Sequence, residues 1–220
     1  MEKNVVLAFD TSTENLAVAL WHLETDEKWT FSEVSPKGHA SSLHTTIADL
    51  LEKSGLSLEQ VKLIVITKGP GSFTGARLAF AAANGFKQAL GAPLFTVTTL
   101  EVIAQAHQHR GQDMTVWVNS HGGMVYQQQF TADAQEVDSP TVVKPHEIIS
   151  TIDASSMICG SGALYYGDIL PEGVAVTEDA YVKPEILATY GYQKWQQEGD
   201  QKNPAPLYLH PLTYRKVGQK

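Results

Sequence analysis

The sequence holds a single cysteine, Cys159, among 220 residues. One thiol excludes an internal disulfide and a cysteine-built zinc site. Its setting, Met157-Ile158-Cys159, reads as a buried strand and places that thiol in a core. Long apolar runs are missing as well: the first, Val5 to Phe9, stops at Asp10. Nothing approaches the roughly 18 apolar residues of a membrane span, and no basic, then apolar leader opens the chain. A soluble, cytoplasmic chain with no membrane contact is therefore expected. Positive charge is scarce, with 16 Lys plus Arg against 24 Asp plus Glu and a net charge of -8. Phosphate backbones are gripped by clustered Lys and Arg, so this balance argues against a protein that holds nucleic acid by itself. The charge is uneven: residues 191–220 sum to +3 and residues 1–190 to -11. Only the tail has the charge to touch a polyanion, and a solvated C-terminal segment is the simpler reading of it.

Paired histidines are also lacking. His22, His39, His44, His107, His109, His121, His146 and His210 include no i, i+4 pair, so no helix face carries a two-histidine metal site. Gly-x-Ser-x-Gly is absent, because Gly71-Ser72-Phe73 and Gly160-Ser161-Gly162 both miss the spacing of a nucleophile elbow. No catalytic constellation stands out, and scattered residues are the alternative that stays open for a metal site.

What is present is an alternation of buried strands and helices. Val5–Phe9 and Leu16–Trp21 flank the turn formers Asp10 to Asn15, which predicts a hairpin with a polar tip. A third strand is expected around Lys28 to Val34. Leu43, Ile47, Leu50 and Leu51 form one apolar stripe of a first helix, with Ser41 or Ser42 to cap it and Gly55 to end it. Val61–Thr67 is almost continuously apolar, as in a strand covered on both faces. A second helix is expected over 74–90, with Ala76, Ala79, Phe80, Ala83, Phe86 and Leu90 on one stripe and Leu78, Ala82 and Ala89 on another. A helix so apolar needs cover on more than one side, from this chain or from another protein. Leu94–Val97 is a further strand, and Thr98 with Glu101 has capping-box spacing for a third helix to about His109. The order predicts an α/β layered domain over residues 1–105. In the second half, strands are expected at Thr115–Val118, Met124–Phe130 and Met157–Cys159, with a break at Pro140–Pro145 and a short helix at 146–152. Gly160-Ser161-Gly162 then repeats the order strand, glycine loop, helix. Pro204 and Pro206 mark an extended tail.

Two motifs could carry chemistry. The loop from Gly69 to Gly75 feeds a helix N-terminus, where backbone N–H groups suit an anion. It lacks the lysine and the spacing of a triphosphate-gripping loop, since Ala76-Arg77 follows. The alternative is a tight turn that lets the helix pack on the sheet. Asp10-Thr11-Ser12 at the hairpin tip could hold a hydrated metal and a phosphate, or be self-bonding turn residues.

Leu7 to Glu14 together with Lys68 to Ala79 resemble the bacterial TsaB (YeaZ) family, and Pro206-Leu207-Tyr208-Leu209 is similar to that family's C-terminal Pro-x-Tyr-Leu. The resemblance is clearest over residues 5–105. It implies an actin-like ATPase (ASKHA) fold of two lobes, here 1–105 and 106–220, each a mixed sheet flanked by helices. It implies a role in forming threonylcarbamoyladenosine on adenosine 37 of tRNAs that read codons starting with A. The expected role is a non-catalytic partner of the transferase TsaD, joined by the ATPase TsaE in a ternary complex, with a homodimer as the other assembly and tRNA met only indirectly. No intrinsic cofactor is expected, and ATP or ADP would belong to the assembled complex; Asp10, Thr11 and Ser12 are the candidate cofactor contacts. The alternative is a small ATP- and magnesium-dependent phosphotransferase or carbamoyltransferase of the same fold. The family's partner surface is its first two helices, which carries over here to Leu43, Ile47, Ala76, Ala79, Phe80, Ala83 and Phe86. Where the family commonly reads His-Ser-x-x-Leu-Leu-Pro, this chain has His39-Ala40-Ser41-Ser42-Leu43-His44-Thr45. Asn119-Ser120-His121 stands in place of a common Asp-Ala-Arg, with Met124 where Glu is usual.

Overall fold

The computed structural model describes residues 2–34, 42–120 and 122–209. His39, Ser41, His121, His210 and the basic Arg215, Lys216 and Lys220 lie outside the described residues. The first sheet contains β1 (Val5–Asp10), β2 (Asn15–His22), β3 (Lys28–Val34), β4 (Val61–Thr67) and β5 (Leu94–Val97) in the order β3-β2-β1-β4-β5. β1, β2 and β3 pair antiparallel, whereas β4 joins β1 and β5 joins β4 in parallel. The second sheet contains β6 (Met114–Asn119), β7 (Val125–Phe130), β8 (Thr141–Val143), β9 (Met157–Cys159) and β10 (Ala175–Val176), in the order β10-β9-β6-β7-β8. Its β6, β7 and β8 pair antiparallel, and β9 and β10 add in parallel. The second sheet therefore repeats the first, strand for strand. This is the expected actin-like ATPase fold, two mixed sheets flanked by helices.

Alternation along the strands separates the two faces of the first sheet. Val5, Leu7, Phe9, Val18, Leu20, Ile64 and Ile66 face α1 (Leu43–Ser54) and α2 (Phe73–Leu90). Val6, Ala8, Ala17, Ala19, Leu63 and Val65 face a second core, shared with α3 (Thr99–Gln105), α6 (Pro184–Glu198) and one face of the second sheet. Burial of both faces explains why β1 and β4 read as unbroken apolar runs. The remaining helices are short: α4 (Pro145–Ile148) and α5 (Ser161–Tyr166). Trp117, Val125, Ile158 and Ala163 form the outer core of the second sheet.

Several expectations change. α3 ends at Gln105, before His109, because His107 turns inward and a 3-10 turn occupies Gln108–Arg110. Ser42 takes the N-cap position of α1 without a side-chain cap hydrogen bond. The break at Pro140–Pro145 contains the short strand β8. Neither β10 nor α6 was foreseen. α6 returns from the second sheet to pack on β1, β2 and β4 of the first. Gly191 makes this approach possible: a Cβ there would lie 2.2 Å from Val65 Cγ1. Opposite it the sheet presents Ala8, Ala17 and Ala19, so the helix sits close to the strands.

Candidate functional site

The hairpin tip between β1 and β2 sits under the loop that leads from β4 into α2. Asp10, Ser12 and Thr67 are completely buried. Ser12 donates to Asp10 Oδ1 from its amide at 2.9 Å and from its hydroxyl at 2.6 Å. Thr67 Oγ1 donates to the same oxygen, and Thr13 Oγ1 donates to Oδ2 at 3.3 Å. Because the Ser12 hydrogen goes to Asp10, the 2.8 Å contact between Ser12 Oγ and Thr99 Oγ1 has Thr99 as donor. Burial pushes the Asp10 carboxyl above the usual carboxylate range, opposed by the hydrogen bonds from Ser12, Thr67 and Thr13. A buried carboxyl of this kind is a reasonable place to look for function. Here both of its oxygens already accept from neighbouring residues.

The glycine loop is pressed directly onto this tip. A Cβ on Gly71 would lie 2.0 Å from the Ser12 carbonyl oxygen, and one on Gly75 would lie 1.8 Å from that of Thr11. The approach is locked by Ser72 N donating to Ser12 O at 2.5 Å and by Thr11 Oγ1 donating to Gly75 O at 2.7 Å. At the start of α2, Gly75 N donates to Ser72 Oγ at 3.1 Å and Ala76 N to Ser72 O at 2.8 Å. The Ser72, Gly75 and Ala76 amides are thus engaged within the chain. Of the two sequence readings, the tight packing turn accounts for both glycines. Asp10, Thr11 and Ser12 come together with the loop as a closely packed joint, in which the space beside Gly71 and Gly75 is filled by the Ser12 and Thr11 carbonyls.

The second lobe repeats the device. Gly160 and Gly162 bring the turn before α5 against β6: a Cβ on Gly160 would lie 2.3 Å from Trp117 O, and one on Gly162 2.8 Å from Trp117 Cβ. Ser161 Oγ accepts from Asn119 N at 3.1 Å, so this serine serves the joint. Cys159 is buried, and burial pushes its thiol up to about 12, which leaves it inert at neutral pH. His107 is a satisfied core histidine. A carbonyl only accepts, so Nδ1–H donates to Ile103 O at 2.8 Å, and Nε2 of the neutral ring accepts from Thr177 Oγ1 at 2.8 Å. Burial is the main force lowering its pKa. Among the described residues, no three His, Cys, Asp or Glu side chains gather as a metal site, and no helix is long and apolar enough to cross a membrane.

The residues expected to form a partner surface lie mostly inside the chain. Leu43, Ile47, Ala79, Phe80 and Ala83 are buried against the first sheet, and Ala76 is buried as well. Phe86 is half-buried, its ring 6.4 Å from that of Phe9 and 5.9 Å from that of His44. The stripe that looked like excess apolar surface is this chain's own core. What α2 offers outward is Ala81, Gly85 and Ala89 at i, i+4 spacing, beside Arg77, Asn84 and Gln88. Gly85 has nothing within 4 Å of a would-be Cβ.

One buried ionic group escaped the sequence reading. Glu101, only 3% exposed, completes the capping box with Thr98 and also meets Lys194 and the Tyr190 hydroxyl (3.1 Å) from α6. Burial alone would raise its carboxyl, but the Lys194 charge and the Thr98 and Lys194 hydrogen bonds hold it below the usual range. The capping box was legible in the sequence; its partner on an unforeseen helix was not.

Residues 31–154, more than half of the chain, match the family model described as TsaD, tRNA N6-adenosine threonylcarbamoyltransferase. The chain is 28% identical over 186 residues to the Escherichia coli tRNA threonylcarbamoyladenosine biosynthesis protein TsaB, covering 80% of each. It is 32% identical over 152 residues to the protein of the same name from Haemophilus influenzae, covering 68% of this chain and 64% of that one. Two solved structures from Pseudomonas aeruginosa are similar over 94% of this chain and all of theirs at 27% identity. One is YeaZ, with a TM-score of 0.80; the other, with a TM-score of 0.81, is an uncharacterized protein described as similar to peptidase YeaZ.

Proposed function

The chain belongs to the family of the TsaD model and, within it, to the TsaB (YeaZ) group, and from that premise we propose that it is a non-catalytic partner of TsaD in forming threonylcarbamoyladenosine on tRNA. The carrying observation is the sealed joint at Asp10. In a fold with two candidate cradles, Gly71 and Gly75 close one against the backbone of Thr11 and Ser12, and Gly160 and Gly162 close the other against Trp117. Ser72 and Ser161, the serines of the two glycine loops, are each engaged in holding these turns, which gives a peptidase reading no support. TsaD docks on the outer face of α1 and α2, where Ala81, Gly85 and Ala89 let another helix come close. TsaE joins the resulting pair, and tRNA is met through the complex. A homodimer uses the same face when TsaD is absent.

The test is co-elution of the purified chain with TsaD from the same organism. Ala81→Glu with Ala89→Glu places two charges on exposed positions and is expected to abolish the complex while leaving the fold intact. Ala83→Glu is unsuitable, because Ala83 is fully buried and the change would act through unfolding. A folded double variant that still co-elutes refutes the docking face. Tight ATP binding by the isolated chain, measured by calorimetry, would refute the non-catalytic reading and restore the small ATP-dependent transferase.

A further inference from the structure

The last described residues return to the glycine loop. Gln201 straddles the edge strand β5: its Oε1 accepts from Thr96 N at 2.9 Å and Thr96 Oγ1 at 2.8 Å, and its Nε2 donates to Thr96 O at 3.0 Å. The side-chain amide thus occupies a position that a sixth strand would otherwise fill. Six residues on, Leu207 N donates to Lys68 O at 2.7 Å, and Leu207 O lies 3.4 Å from where a Gly69 Cβ would be. Tyr208 then reaches the first turns of α2. Its ring centroid is 4.9 Å from that of Phe73, Arg77 stacks over Phe73 at 3.7 Å, and Arg77 Nε donates to Tyr208 Oη at 3.3 Å.

We propose that residues 201–208 are a strap that positions the glycine loop and the first turns of α2, and through them the face on which a TsaD-family partner docks. The partner half of this inference rests on the function proposed above; the positioning half does not. The physical reason is leverage. α2 is held at its N-terminus by a loop squeezed between two backbones: the hairpin tip on one side and the strap on the other. Tyr208, Phe73 and Arg77 are all partly exposed and lie at the end of the outward row that continues through Ala81 and Gly85. Tyr208 is thus a positioning residue, and its aromatic cluster borders the docking face.

The test compares the full chain with Tyr208→Ala, Tyr208→Phe and Gln201→Ala. Amide exchange on the isolated chain reports the positioning, and affinity for TsaD reports the docking. Tyr208→Ala is expected to speed exchange at Ser72, Gly75 and Ala76 by about tenfold or more, with little change in the global denaturation midpoint. Gln201→Ala is expected to do the same at Thr96. TsaD affinity is expected to fall with Tyr208→Ala and to recover largely with Tyr208→Phe, which keeps the ring on Phe73 and loses only the Arg77 hydrogen bond. Unchanged exchange at Ser72, Gly75 and Ala76 in Tyr208→Ala overturns the strap. Faster exchange with undiminished TsaD affinity overturns its link to docking. If the unaltered chain fails to bind TsaD, the function proposed above falls, while the exchange measurements still decide the strap.

Discussion

Two glycines of one helix should respond to the same substitution with opposite signs. In Gly75→Ala the new methyl would begin 1.8 Å from the Thr11 carbonyl oxygen, against a floor of 3.0 Å that real contacts respect. The joint must therefore open by about 1.2 Å (3.0 minus 1.8), and the obstacle is backbone, which cannot rotate aside. Opening it strains the Thr11 to Gly75 bond of 2.7 Å and the Ser72 to Ser12 bond of 2.5 Å. Overpacking of this kind costs about 1–3 kcal/mol, and each hydrogen bond lost adds about 1 kcal/mol. A destabilisation of roughly 3 kcal/mol or more follows for Gly75→Ala. Gly85 lies ten residues further along α2, in the same backbone conformation, with open space where a Cβ would go. There the helix-propensity gain operates alone, and Gly85→Ala should stabilise by about 0.5–1 kcal/mol.

Urea denaturation of the two variants beside the unaltered chain measures both numbers from their midpoints, provided the slopes agree. Equal effects, or a Gly75→Ala variant as stable as the original, would refute the reading of the glycine loop as a sealed joint and reopen the anion cradle. The pair controls for the general entropy effect of replacing glycine, because that term is common to both.

Three further outcomes are expected. Lys194→Met should destabilise by about 3 kcal/mol, because it leaves the buried Glu101 carboxylate with hydrogen bonds from Thr98 and Tyr190 but no cation; adding Glu101→Gln should recover part of the loss, and additive single effects in a double-mutant cycle would sink the pairing. His107 has a folded pKa lowered from 6.5, so the unfolded chain takes up its proton first and stability contributed by the neutral ring is lost as pH falls below about 6.5; His107→Gln should flatten that part of the midpoint-versus-pH curve, and an unaltered curve would refute the assignment. Asp10→Ala should destabilise more than Asp10→Asn, because it leaves the Ser12, Thr13 and Thr67 donors without their acceptor at about 1–3 kcal/mol each; thermal melts that rank the two variants the other way would count against the network.

The first lobe was legible because its signals were local. β1 and β4 are short continuous apolar runs bounded by turn formers, and the Thr98 and Glu101 capping box marks a helix start to the residue. Gly191 hid α6: it interrupts the apolar stripe, and only the three-dimensional approach to Val65 explains why a glycine belongs there. β8 and β10 have three and two residues, too short to show a period. The burial of the residues expected at a partner surface has a related cause. Periodicity says that a helix face is apolar, but whether that face meets its own sheet or another chain depends on where the sheet lies. α1 and α2 cover the outer face of β1, β2 and β4 completely enough to bury six of the seven residues chosen from the sequence.

The same distinction governs the glycine loop. Gly69-Pro70-Gly71-Ser72-Phe73-Thr74-Gly75 is compatible with a cradle for an anion or with a close crossing of two backbones, since both need the space that a Cβ would fill. The crossing is decided by what occupies that space: the carbonyl oxygens of Ser12 and Thr11, each belonging to the hairpin tip that also carries Asp10. The motif that marks the family in the sequence therefore has a mechanical meaning here. It fixes the N-terminus of α2 against the sheet and so sets the height and angle of the outer row of Arg77, Ala81, Gly85 and Ala89.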